Sequence, residues 1–155
     1  MAMDENPRST AKIASHPLHP MLIPFPVAFF IGALACDLAY WRTGDIGFAV
    51  GSAWLIGAGL VMAALAALAG LTDFLGSRRI RRLRVAWLHM AGNVIVVGLE
   101  ALNLFLRQGD PGAGVVPDGL ILSLAVTLLL LFTGWLGWEM VYRHRVGVAD
   151  TGTPR

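Results

Sequence analysis

Four long apolar stretches, separated by short polar segments, constrain this chain more than any other feature. A helix that crosses a bilayer needs ~20 predominantly apolar residues. Such stretches run from about Met21 to Trp41, Gly47 to Leu75, Val85 to Leu106 and Pro117 to Tyr142. Strand-like alternation is absent from them, and Ala, Leu and Gly dominate. Helices and closed barrels are the structures that satisfy their backbone inside lipid, so this pattern selects helices. Composition agrees. Of the 155 residues 56% are hydrophobic and 14% charged, with a mean hydropathy of +0.66. Soluble domains carry roughly 25% charged residues. The expected fold class is an all-α membrane protein, a four-transmembrane-helix bundle over residues 16–146. The polar segments 1–15 and 147–155 are expected to be mobile cytoplasmic tails.

Charge sets the expected orientation. Net charge is +2, and the basic residues cluster beside the apolar stretches. Arg78, Arg79, Arg81, Arg82 and Arg84 lie between the second and third stretches. Arg8 and Lys12 precede the first, and Arg143, Arg145 and Arg155 follow the last. Each of the other two connections has one basic residue, Arg42 or Arg107. The positive-inside rule then places both termini in the cytoplasm, N-in/C-in, as a multi-pass protein of a bacterial cytoplasmic (inner) membrane. Trp41, Trp87, Trp135 and Trp138 fall near the expected helix ends, at headgroup depth. The arginines are accounted for by topology, with anionic lipid or cofactor propionates as further uses. No surface for nucleic acid emerges. Cys36, the single cysteine, excludes an intrachain disulfide. The polar first twenty residues do not resemble a signal peptide.

Polar groups within such a protein are costly and tend to face the bundle interior. All four histidines are expected at the cytoplasmic face. His16 and His19 precede the first helix, His89 lies one turn into the third, and His144 follows the fourth. Asp73 and Glu139 join them. On the third helix, His89, Asn93 and Glu100 share one stripe, with Gly92 beside them. Asp37 and Glu100 have comparable depth in the outer half and are expected to share a proton or a hydrogen bond. The plain readings are an interfacial role for His16 and His19, a solvated basic tail for His144 and a helix cap or arginine pair for Asp73. His89, inside an apolar span, needs a partner whatever its role.

The segment His16-Pro17-Leu18-His19-Pro20, continued by Met21-Leu22-Ile23-Pro24-Phe25-Pro26, is distinctive. With it go Gly70-Leu71-Thr72-Asp73, the stretch Trp87-Leu88-His89 to Asn93, and Gly137 to Val148 with Tyr142, Arg143 and His144. Together these resemble the bacterial membrane family known as domain of unknown function 2231, over about residues 14–148. The resemblance implies a four-helix membrane domain. Some relatives are joined to Rieske-type iron–sulfur domains, which implies redox chemistry by association.

Four functions fit these residues. The first is a b-type cytochrome-like protein or redox subunit. Haem b would be held by His89 with His19 or His16, Gly92 would leave room for the porphyrin, and Asn93 would stand nearby. The second is a zinc or non-haem iron site built from His16, His19, His89, Asp73 and Glu139. The third is an accessory or assembly subunit of a larger membrane complex, with no cofactor. The fourth is a transporter using Asp37, Asn93 and Glu100. The expected partners are the lipid bilayer, a redox partner or larger complex, and a second copy of the chain.

Overall fold

The computed structural model describes residues 6–7, 9–14 and 16–148. The expected tail 147–155 therefore lies mostly outside the described residues. Four helical spans cross the molecule, each long and apolar enough for a bilayer. The first comprises a short helix α1 (Leu18–Leu22) and α2 (Pro24–Thr43). The second is α3 (Ile46–Gly76). After a five-residue helix α4 (Arg78–Arg82) comes the third, α5 (Arg84–Leu106). A kinked segment at Val115–Gly119, with Val116 in an extended conformation, leads into the fourth, α6 (Leu120–Tyr142).

Local sequence explains where these helices begin and end. Pro24 and Pro26 occupy the first turn of α2, where a missing N–H is harmless. Gly44 ends α2 in the left-handed region (φ 69°), its N–H on Tyr40 O at 2.8 Å. Asp45 then caps α3, accepting from Gly47 N at 2.8 Å. At the other end, Ser77 terminates α3 and caps α4, accepting from Ile80 N. The Arg81 guanidinium donates to the carbonyls of Phe74 and Leu75, so this arginine also closes the C-terminus of α3.

The spans form a ring in which α2 packs on α3 and α6, and α5 packs on α3 and α6. Inward positions recur at spacings of three and four. On α2 the buried residues are Pro26, Phe30, Ala33 and Asp37. On α5, Gly92, Val96, Glu100 and Asn103 are buried, and His89 and Arg107 extend the same stripe. Small residues let the backbones approach, as in many membrane bundles. At Gly59 of α3 even a methyl group would strike the ring of Phe30. The outer surface is apolar instead of charged. Trp54 is 77% exposed, and Val94, Leu131 and Phe105 are similarly open. Water would penalise that surface, whereas lipid does not.

Viewed from the end that carries the start of α1, the end of α6 and the arginine-rich α4, the interior is layered. An apolar layer of Phe74, Ile80 and Ala86 comes first, with Met90 and Met140 against it. Next lies a layer holding His19 and His89. A second apolar layer follows, of Phe30, Val96 and Val126. The far end closes on a buried polar cluster around Asp37 and Arg107.

Part of the segment expected to be a free tail is fastened to the bundle. Residues Lys12–Ile13 and His16–Pro17 form a two-residue antiparallel pair. The carboxylate of Asp73 accepts hydrogen bonds from the Ser9 hydroxyl and from the backbone N–H groups of Thr10 and Ala11, at 2.6–2.9 Å. Gly147 N donates to Pro7 O at 2.8 Å, so the segments before α1 and after α6 meet.

Candidate functional site

Two histidines far apart in sequence come together. His19, on α1, and His89, on α5, have ring centroids 6.2 Å apart and planes at 89°. Each is held by one further helix. His19 Nδ1 lies 2.7 Å from Ala66 O of α3, and His89 Nδ1 lies 2.9 Å from Thr133 O of α6. A carbonyl only accepts, so both Nδ1 atoms carry hydrogen, and in a neutral imidazole the lone pair is left on Nε2. That is the tautomer a metal-ligating histidine presents, with its second nitrogen fixed by a backbone carbonyl. Glycines make the close approach possible. A Cβ at Gly70 would sit 2.9 Å from the His19 ring, and one at Gly137 would sit 3.3 Å from the His89 ring. Asn93, one turn along α5, donates to His89 O at 2.8 Å and contacts Nε2 at 3.3 Å.

The other proposed ligands are elsewhere. His16 is exposed in the short strand pair, its Nδ1 on Ala14 O at 2.9 Å. Asp73 is committed to Ser9, Thr10 and Ala11. Glu139 accepts from Arg143 at 3.2 Å and stands 4.0 Å from His144 Nε2. Glu139 lies two residues beyond Gly137, and on a helix that step turns a side chain away from His89. The five-residue metal set His16, His19, His89, Asp73 and Glu139 is therefore corrected. Among the described residues no three His, Cys, Asp or Glu side chains converge on a metal position. Gly92 also has a different use: the side chain of Thr133 fills the space beside it, so it draws α6 against α5.

At the far end the expected Asp37–Glu100 bond is replaced by a larger network. Arg107 is 3% exposed and grips Asp37 with two hydrogen bonds of 2.8 Å. Ser123 donates to Asp37 at 2.6 Å, and Ser52 accepts from Arg107 at 3.0 Å. Asn103 accepts from Arg107 at 2.9 and 3.1 Å and donates to Glu100 Oε2 at 3.2 Å. Glu100 Oε1 is buried and has no hydrogen-bond partner among the described residues. Four spans contribute to this cluster. Sequence reasoning counted Arg107 as a loop residue and passed over Asn103, Ser52 and Ser123. Continuing the stripe from Glu100 by three and then four reaches Asn103 and Arg107, and that signal was present.

Fold and interior together define a multi-pass α-helical membrane protein with two polar sites in its core. The chain belongs to a family described as "Predicted membrane protein (DUF2231)", whose profile matches residues 15–150. No curated protein and no solved structure matches it.

Proposed function

We propose that this protein binds haem b and transfers electrons within a bacterial cytoplasmic membrane, with His19 and His89 as the iron ligands. The observation that carries the reading is the paired arrangement of these rings, each with Nδ1 anchored to a carbonyl. Nε2 of His19 has no partner among the described residues, and Nε2 of His89 accepts from Asn93 at 3.3 Å, a bond that an iron ligand would have to exchange. Ligand count favours haem over a bare ion. A structural zinc site takes four protein ligands, and a catalytic one usually takes three. Haem brings its own four nitrogens and asks the protein for one or two axial groups. Two histidines are therefore a complete set for haem and an incomplete one for zinc. When bound, haem would supply one-electron chemistry.

The protein's part is to orient both rings, exclude water through the surrounding apolar layers and keep Nε2 unprotonated. The rings now meet edge to face with centroids 6.2 Å apart, so a porphyrin between them requires α1 to separate from α5. His19 rides on the element suited to that movement, since α1 is five residues long and has no buried residue. With both termini cytoplasmic, the histidine layer lies nearer the cytoplasmic side and would meet a redox partner there. A second reading also has support: the bonds to Ala66 and Thr133 tie helices together, as an accessory subunit needs.

The decisive experiment is an absorption spectrum of detergent-purified protein, oxidised and then dithionite-reduced, after expression with haem supplied. A Soret band that disappears in both His19→Ala and His89→Ala supports the proposal. A colourless, folded wild-type protein overturns it. Elemental analysis then separates zinc or non-haem iron from the cofactor-free accessory subunit.

A further inference from the structure

A groove of about 460 Å³ opens at the basic end, between the start of α5 and the end of α6. Its lining is divided. Leu83, Val85, Leu88 and Leu136 make an apolar wall, while Arg82, Arg84, Glu139 and His144 line its polar part. The partners of these charged groups are unequal. Arg81 is engaged by the α3 carbonyls and Arg143 by Glu139. Arg82 and Arg84 are exposed, and their guanidinium groups have neither a hydrogen bond nor an ion pair among the described residues. Glu139 is the single acid in the lining, and its charge is offset by Arg143 at 3.2 Å.

Depth points to the same occupant. Trp138 and Tyr142 of α6 stack with ring centroids 5.3 Å apart, and both are exposed. Such aromatic residues settle at the headgroup level of a bilayer. The groove therefore straddles the interface, with unpartnered guanidinium groups on one side of it and aliphatic side chains on the other. Guanidinium groups suit phosphate geometry and bind it in pairs. Basic pockets between transmembrane helices are suited to anionic lipid headgroups.

We infer that this groove is a binding site for an anionic phospholipid. Arg82 and Arg84 hold the headgroup phosphate, and an acyl chain lies along Val85, Leu88 and Leu136. The site is independent of the histidine pair and stands whether or not haem binds.

The test uses the full-length protein in vesicles of phosphatidylglycerol mixed with phosphatidylcholine, followed by extraction and native mass spectrometry of the retained lipid. Wild-type protein should retain phosphatidylglycerol in preference by about tenfold or more, the effect of two arginines near an anionic surface. The double variant Arg82→Gln/Arg84→Gln should lose that preference. Arg82→Lys/Arg84→Lys should keep part of it, which separates loss of charge from loss of fold. Arg78→Gln/Arg145→Gln removes equal charge outside the groove and should leave the preference intact. An equal loss in that control, or unchanged retention in the groove variant, overturns the site. Displacement of the lipid by inorganic phosphate alone also overturns it, because a bare anion would then suffice.

Discussion

The two polar sites of this bundle lie on one stripe of α5, about 27 Å apart by helical rise between His89 and Arg107, yet they are built on opposite principles. At the far end nearly every group is paired. Arg107, Asp37, Asn103, Ser52 and Ser123 satisfy one another in a buried cluster drawn from all four spans. At the basic end the histidines are half-buried and less completely paired: both Nδ1 atoms are spoken for and Asn93 reaches His89 Nε2 at 3.3 Å, whereas no described residue bonds His19 Nε2. A closed network rigidifies and fixes helix register. An open pair keeps ligand atoms available. The far cluster is therefore read as the latch of the fold, and the histidine layer is where the proposed cofactor would bind.

Mutations that break this contrast can be ranked. The largest effect is expected for Arg107→Ala, which strands Asp37 as an unpaired buried charge and should cost about 3–5 kcal/mol. Unfolding in detergent micelles or bicelles measures it. The paired change Asp37→Leu/Arg107→Met should recover much of the loss, since a well-packed apolar pair can replace a buried ion pair. If the single change has no effect, the latch assignment is wrong.

Gly59→Ala comes next. The added methyl group collides with Phe30 between the two sites and should cost about 1–3 kcal/mol as overpacking. The same unfolding assay reports it. An unaffected midpoint would show that the middle layer is looser than its contacts indicate.

His89→Ala should separate function from stability. The expected stability loss is about 0.6 kcal/mol, typical of a membrane hydrogen bond, while under the proposed function any haem absorbance should be lost. A loss as large as that of Arg107→Ala would make the histidine layer a second latch.

Glu100→Gln is expected to be smallest, roughly within 1 kcal/mol of wild type. Its Oε1 has no partner to lose, and the amide oxygen still accepts from Asn103. A destabilisation of several kcal/mol would instead make Glu100 an ionic member of the latch.

Much of this was legible in the chain. The expected spans from Met21, Gly47, Val85 and Pro117 match the observed helices within a few residues, except where α1 and the turn at Val115 extend them. The pairing of His89 with His19 was one of two options, and the structure brings His19 to it while leaving His16 outside. Asp73 shows what was missed. Its carboxylate looked like a ligand or a helix cap, but it gathers the chain segment at Ser9–Ala11, some sixty residues earlier. Arg107 was missed for a related reason. A basic residue at a helix end is usually solvated, and only a buried acid on another helix turns it inward.

The sequence by itself determined that the chain crosses a membrane four times as helices. Transfer into lipid is close to a sum over residues, so a linear pattern suffices to reveal it. Tertiary structure alone decided which polar groups meet. That depends on the rotation and order of the helices, which follow from close approaches such as Gly59 on Phe30 and Gly92 on Thr133 and from bonds between helices. These are pairwise properties of distant residues, and no single stretch of the chain contains them.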